Sequence, residues 1–472
     1  MSNTFCGFDI DRIESLRKEL GSSSQAAGRM SSAVSGLVSR AAALQNSGPV
    51  LHAMQIEGLS LPTDADRAGL TSIAGDAPGM AAEIGRRRAH LIACQKLSVD
   101  GFQMDSDVVF ADEPPPDEGK VKAALDQFRH SMGVGWGTNG DYGMRDIAAV
   151  LAGLNAGETD AVIKQLSDDE LRKWNVAITL GEVASPFNGL NNAERMQMAS
   201  FLAARLGSDS LSRLAHLVPS LEPAFNVDGS HDGVHYGAVT GDLFTDGVNA
   251  RDISQGGVGD CWFLAGLLTV ADKNPGFIQN HIRQNDNGTY TVTLFKDGKP
   301  VDVTVDNQFP MNGGDFAAAH SNAGWSSHQD LWVAIYEKAF AAFKGSYGAT
   351  EGGFGDQALP VITGQDAGRM PADLMSLQMM QKMQQAGAVL TVGTGNNKFL
   401  GLFGGSEFVD HHKVVTEHEY AVKGFDNTTD PPTVILWNPW GDGGGAPQEV
   451  RLTESQFHDY ADSVSMGKVP SG

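Results

Sequence analysis

Cysteine is scarce in this chain: Cys6, Cys94 and Cys261 are the three in 472 residues. So few exclude a disulfide-stapled scaffold, which needs several bridges around a small core. Positive charge is short as well, with 34 Lys and Arg against 57 Asp and Glu and a formal net charge of −23. Nucleic-acid binding as a main function is thereby excluded, because neutralising phosphates takes clustered cations. No apolar run approaches the roughly 18 residues that a membrane helix needs, and the N-terminus lacks a basic stretch followed by an apolar core. The expectation is a chain with no membrane span and no standard secretory signal, cytoplasmic by default or exported by another route.

What is there is ample apolar material. A hydrophobic content of 41% in a chain this long supports packed cores in about two to four domains. Residues 8–46 and 63–98 carry Ala, Leu, Ser and Arg at helical spacing, separated by Gly48, Pro49, Gly58 and Pro62. That predicts a helical hairpin region over 1–104. An antiparallel hairpin would bring Cys6 and Cys94 to one end, within reach of a disulfide, although reduced thiols are the default reading. Pro114-Pro115-Pro116 amid acidic residues marks a linker over 105–119. From 120 to 220 the pattern is again helical, with segments at 143–154, 159–166, 168–180, 192–206 and 210–218. Ser167 with Glu170, and Asn191 with Glu194, read as helix starts of the capping-box kind. This region shows no reactive constellation. His231 and His235 with Asp228 and Asp232 fit no strong metal spacing, so a loop is expected there.

The region 221–472 is different. Gln255-Gly256-Gly257-Val258-Gly259-Asp260-Cys261-Trp262-Phe263-Leu264-Ala265 sets one cysteine where a glycine-rich loop enters an apolar helix. At a helix N-terminus the macrodipole favours thiolate over thiol. The Gln255 amide and the Cys261 backbone N–H are positioned in sequence to donate to a tetrahedral oxyanion. Downstream, His418 lies in Glu417-His418-Glu419-Tyr420-Ala421-Val422 and Asn438 in Leu436-Trp437-Asn438-Pro439-Trp440-Gly441. A histidine there serves as base and then acid, and an asparagine orients its ring. His411 and His412 are rival bases, but only His418 opens an alternating apolar strand. Trp440 is placed to cover the histidine–asparagine contact. Residues 289–295 and 301–305 alternate around Lys296-Asp297-Gly298-Lys299, a hairpin signal.

These motifs, in this order, resemble the calpain-like cysteine proteases, and so does Asp330-Leu331-Trp332-Val333-Ala334-Ile335-Tyr336-Glu337-Lys338-Ala339-Phe340 with the following Gly345-Ser346-Tyr347 and Gly352-Gly353. The resemblance runs from about 242 to about 466. It implies an α+β, papain-like two-lobed domain, one lobe helical and one β-rich, with the active site in the cleft between them, preceded here by an all-α N-terminal region. It implies a cysteine endopeptidase with Cys261 as nucleophile, His418 as base and acid, Asn438 as orienter and Gln255 as oxyanion donor, acting on a protein or peptide substrate through a thioester acyl-enzyme. The N-terminal helices are then a regulatory or targeting region, the candidate surface for a regulator, a target or a secretion partner.

Departures from the family pattern bear on regulation. The chemistry requires no cofactor, and calcium, which the resemblance implies as an activator, is doubtful. Gly348 stands where an acidic residue is expected after Ser346-Tyr347, and the loop after Gly441 keeps Asp442 but then turns to glycine, leaving few oxygen ligands. The family's C-terminal modules are not expected after 457. Small residues usually flank the histidine, whereas Glu417 and Glu419 stand here, beside the cleft. Two alternatives stay open: an acyltransferase on the same fold, against which Asn438 argues, and a secreted bacterial effector or toxin using the same protease chemistry. The linkers predict that 221–472 folds by itself.

Overall fold

The computed structural model describes residues 116–133, 143–184, 189–227, 233–245, 247–285, 287–321, 330–395, 408–409, 414–441 and 445–470. The helical hairpin with Cys6 and Cys94, most of the linker, His231 with its two neighbouring aspartates, His411, His412 and Asp442 lie outside the described residues.

The helical region expected at 120–220 contains α1 (Glu118–Gly133), α2 (Met144–Ala152), α3 (Ala156–Gln165), α4 (Asp168–Ala184), α5 (Asn192–Ala203) and α6 (Ser208–Leu217). Both anticipated start signals are capping boxes. Asn191 Oδ1 accepts from Glu194 N while Glu194 Oε2 accepts from Asn191 N, each at 2.9 Å. Ser167 and Glu170 do the same at 3.3 and 2.7 Å, and such caps contribute about 1 kcal/mol each. A third, Asn155 with Glu158, starts α3. Phe128 and Trp174 meet edge to face at 5.3 Å in the middle of this core, among Ile147, Leu151, Ile163 and Leu202.

Helix α5 has two buried faces. Met198, Phe201 and Leu202 point into the helical core, while Met196 joins the core of the C-terminal part. Ser200 Oγ accepts from Thr304 N at 2.8 Å, and Asn287 Nδ2 donates to the carbonyls of Ala203 and Leu206 at 2.9 and 2.8 Å. The Ala203 carbonyl is one of the orphan acceptors at the end of α5, and Leu206 lies just beyond it. Packing therefore crosses position 220.

The C-terminal part contains a three-stranded antiparallel sheet of β1 (Ile282–Gln284), β2 (Tyr290–Lys296) and β3 (Lys299–Val305). The hairpin runs in register from Tyr290↔Val305 to Lys296↔Lys299. Asp297 (φ 52°) and Gly298 (φ 71°) make its left-handed two-residue turn. Alternation predicts one wet face for this hairpin, yet Thr291, Thr293 and Thr304 are all buried. Helix α5 packs against β3, and the hydroxyls are satisfied internally: Thr291 with Thr304 at 2.9 Å, Thr293 to Asp302 Oδ1 at 2.6 Å.

Helices α7 (Cys261–Lys273), α8 (Trp332–Lys344) and α9 (Gly355–Thr363) form the helical lobe. The β-rich lobe contains α10 (Leu377–Gln385) and a six-stranded antiparallel sheet built from β4 (Gly368–Pro371), β5 (Ala388–Thr394), β6 (His418–Asp426), β7 (Thr433–Trp437), β8 (Glu449–Thr453) and β9 (Ala461–Lys468), in the order β8-β7-β6-β5-β9-β4. Every side chain of α7 from Trp262 to Ala271 is buried. The helix lies against β5 and β6, so its first residue arrives at the end of β6 where His418 begins.

Candidate active site

Cys261 opens α7, with the fully buried Asp260 at the capping position. Main-chain N–H groups of Glu419 and Trp262 point at its sulfur; burial nevertheless pushes the thiol up to about 12, and the charges of Glu419 and Asp260 add to that rise. His418 is lowered to about 4, again by burial, against the pull of Asn438. Both partners therefore rest uncharged, and moving the thiol proton to the imidazole creates an ion pair without bringing net charge into the cleft.

The tautomer follows from hydrogen-bond chemistry. His418 Nε2 lies 2.9 Å from Asn438 Oδ1, which also accepts from Trp440 N at 3.1 Å, while Asn438 Nδ2 donates to Pro447 O at 3.4 Å. An amide oxygen only accepts, so Nε2 carries the proton and Nδ1 keeps its lone pair. The anticipated Trp440 cover is present, with its ring 5.1 Å from the His418 ring at 61°, and Tyr420 closes another side edge-on at 5.0 Å. Asn438 is completely buried, which keeps water from competing for the contact.

Gln255 sits in the loop leading to Cys261. Its backbone N–H donates to Pro439 O at 2.9 Å, and Ser254 Oγ donates to Trp440 O at 3.3 Å, so the cysteine loop and the asparagine loop are tied together. Gln255 Nε2 donates to Val258 O at 2.6 Å, and Oε1 is buried without a partner. One amide hydrogen is thus spent on the loop and the other remains. The glycine in position 256 is required by close approach: a Cβ there would lie 2.3 Å from Ala318 O.

Two carboxyls that sequence reasoning did not single out stand behind the nucleophile. Asp260 and Glu337 are both fully buried and lie close enough for each to alter the other's ionisation. Glu337 Oε2 also accepts from Ala319 N at 2.8 Å. Burial raises both, and the charge of Asp260 raises Glu337 further, so the pair retains protons at a pH where free carboxyls have lost theirs. The available signal was an acid in the middle of the apolar helix α8, which a helical wheel reads as a wet face.

A retained proton has a measurable sign. The folded pair holds it well above the range, roughly 4, where unfolded carboxyls release theirs. The stability it confers is therefore full at acid pH and declines as pH rises, by about 1.4 kcal/mol per unit while one proton separates the two states. Glu337→Gln is expected to flatten the fall of the unfolding midpoint between pH 5 and 8. Identical slopes in the two proteins would refute proton retention by Glu337.

The position expected to be acidic in a calcium loop is filled differently. A Cβ on Gly348 would lie 2.3 Å from Asn226 O, so the backbone there is packed against its neighbour with no room for a carboxylate side chain. Among the described residues no group of three or more His, Cys, Asp or Glu side chains converges as a metal site. His235 instead bonds to Gly233 O at 3.1 Å.

Residues 237–445 match the calpain family cysteine protease domain. Calpain-13 of Rattus norvegicus is 30% identical over 211 residues, which cover 42% of this chain and 30% of the relative. The calpain-1 catalytic subunit of Homo sapiens is 30% identical over 214 residues, 42% of this chain and 29% of that protein. The calpain-type cysteine protease DEK1 of Zea mays is 32% identical over 213 residues, 42% and 9% respectively. The chain thus spans less than a third of the length of these relatives. The matched segment contains the cysteine helix, the histidine strand and the asparagine loop, and over residues 237–445 the chain carries the calpain family cysteine protease domain within a mixed α+β structure.

Proposed function

We propose that the chain is a cysteine endopeptidase that works through Cys261, His418 and Asn438, with Gln255 in the oxyanion site. The observation that carries this reading is the His418 Nε2 to Asn438 Oδ1 hydrogen bond of 2.9 Å, which leaves Nδ1 as base toward a sulfur held at the start of α7. The thiol proton passes to Nδ1 as sulfur attacks the peptide carbonyl carbon. The developing oxyanion takes hydrogen bonds from the Cys261 N–H and the second Gln255 amide hydrogen. Collapse breaks the C–N bond, Nδ1 returns the proton to the leaving amine, and a thioester remains. Water then attacks the thioester, giving its proton to His418, and the carboxylic acid leaves as the sulfur is released. Asn438 holds the ring in place through both half-reactions.

None of these steps draws on a metal, and the glycine at 348 supports a calcium-independent reading. The test is cleavage of casein by the full-length protein in millimolar calcium and in chelator, each with and without an epoxide thiol inhibitor of the E-64 type. Inhibitor-sensitive cleavage of equal rate in both buffers is expected. Cleavage confined to the calcium arm would overturn the calcium-independent reading, and inhibitor-resistant cleavage would overturn the thiol mechanism.

A further inference from the structure

The loop that leads from Ile253 to Cys261 lies along a second stretch of chain, residues 317–321. Ile253 and Ser254 pair antiparallel with Ser321 and His320, and Gly257 N donates to Ala317 O at 2.8 Å. Between those points Gly256 passes so close that an added Cβ would lie 2.3 Å from Ala318 O and 2.8 Å from Ala317 O. Val258 packs in one cluster with Ala318 and Tyr347, and the Gln255 amide is folded back onto Val258 O. Gln255 therefore takes its place from segment 317–321 on one side and from Pro439 O, which accepts from its backbone N–H, on the other.

The segment is in turn tied to its surroundings through its own main-chain donors. Ala317 N donates to Pro310 O at 2.8 Å, and Ala319 N donates to Glu337 Oε2, also at 2.8 Å. Ala319 is completely buried, so its N–H has no water to turn to, and a buried donor left unmet is costly. The acceptor it finds is rigid. Glu337 stands in the middle of α8, whose residues from Trp332 to Ala342 are all buried, and the neighbouring apolar side chains lock the helix into the core. An apolar residue at 337 would pack as well but could not hold the Ala319 N–H.

Resting on the peptidase reading above, in which Gln255 donates to the oxyanion, we infer that Glu337 is a positioning residue for the oxyanion site: by holding Ala319 N it fixes segment 317–321, and through that segment the seat of the Gln255 amide beside Cys261. Its carboxyl touches neither the substrate nor the sulfur. What it supplies is one acceptor at one place, which a glutamine can also supply. Donors aimed at a transition state must stand where the charge develops, and a misplacement of about 1 Å costs on the order of 10²-fold in rate.

The experiment uses the full-length protein and a quenched fluorescent peptide that the wild type cleaves, at pH 6, where Asp260 and Glu337 retain protons and a neutral replacement leaves the charge beside the sulfur unchanged. Glu337→Met, which keeps the length of the side chain and removes the acceptor, is expected to lower kcat by about 10²-fold, the scale of losing one oxyanion donor. Gln255→Ala is expected to lose a similar factor. Combining the two is expected to cost no more than a few-fold further, because both act through the same amide. Glu337→Gln, whose Oε1 can accept from Ala319 N, is expected to stay within a few-fold of the wild type. Alkylation of Cys261 by iodoacetamide, followed by mass spectrometry of the labelled peptide, displaces iodide at a methylene carbon and forms no oxyanion. Its rate is expected to stay within a few-fold in all of these proteins, whereas a general loosening of the core would slow it together with turnover.

Unchanged turnover in Glu337→Met, losses that multiply in the double variant, alkylation that falls in step with turnover, or a Glu337→Gln variant as slow as Glu337→Met would each overturn the inference. If Glu337→Met does not fold, Gly256→Ala takes its place, since its Cβ forces the loop away from Ala318 O. The same loss and the same lack of additivity with Gln255→Ala are then expected, and unchanged turnover overturns the inference. If Gln255→Ala alone leaves kcat unchanged, the oxyanion role given to Gln255 in the peptidase reading is what fails, and this inference falls with it.

Discussion

Cys261→Ser is expected to lower kcat for every peptide by about 10⁴-fold or more, as removal of a nucleophile that acts as a unit with its base does elsewhere, while the unfolding midpoint stays within a few degrees of the wild type. The size follows from the pairing of groups. His418 is held near 4 by burial, which makes it a weak base. It can accept a proton from a thiol because the attacking sulfur is intrinsically nucleophilic and its anion is met by the N–H groups of Glu419 and Trp262. A serine hydroxyl is far less acidic and gains little from the same surroundings. The fold loses little, because serine retains the bulk of the side chain and can accept from the same N–H groups. Turnover and melting of the two purified proteins decide it. Inhibitor-sensitive turnover surviving in the variant would show that Cys6 or Cys94 supplies the reacting thiol.

The second large effect concerns the N-terminal boundary. A fragment starting at 221 is expected to be insoluble, or less stable than the full chain by on the order of 3 kcal/mol or more, the range for stripping a large apolar side chain from a core. Met196, 2% exposed, belongs to the catalytic core, and it leaves with α5. So does the Ser200 hydroxyl that accepts from Thr304 N, and Asn287 is left without the Ala203 and Leu206 carbonyls. The polar face of the β1–β3 sheet would then be open to water. A fragment starting at 116 keeps every one of these contacts and is the control. Equal melting of the two fragments would show that the helical region is a passenger.

The site was legible in the sequence because its parts are local. A glycine-rich run entering an apolar helix, a histidine opening an alternating strand, and an asparagine closing the next one each announce themselves within a dozen residues. The hairpin around Asp297 and Gly298 was legible for the same reason, since its turn needs two left-handed residues. What was not legible depends on distant partners. Alternation in β2 and β3 predicts a wet face, and only α5, about a hundred residues earlier in the chain, makes that face dry. Glu337 and Lys338 read as solvent-facing on any helical wheel, yet they are 0% and 1% exposed. Glu419 was noticed as a departure from the family pattern, but its burial and its bonds from Thr391 and Gly355 come from other elements of the chain. The sequence pattern places a boundary near 220; the contacts that cross it, the packing of Met196 and several side-chain hydrogen bonds, have no sequence signature.

The adjacency of Glu337 and Lys338 on α8 reaches beyond either residue. One meets the carboxyl beside the nucleophile; the other is gripped separately by Glu222 Oε2 at 2.7 Å, Asp306 Oδ1 at 2.5 Å and the Gln308 carbonyl at 2.6 Å. Apolar helices tolerate slippage, because one leucine-sized knob fits many sockets and several rotations bury similar area. A helix carrying neighbouring charges of opposite sign, each with its own distant receptor, does not. Turning α8 by one residue, about 100°, would strand an ammonium and a carboxyl at once in a dry interior. The pair thus works as an asymmetric key that admits a single seating of the helix, so the chain's choice among near-equivalent compact arrangements is made by two buried charges rather than by the size of its core.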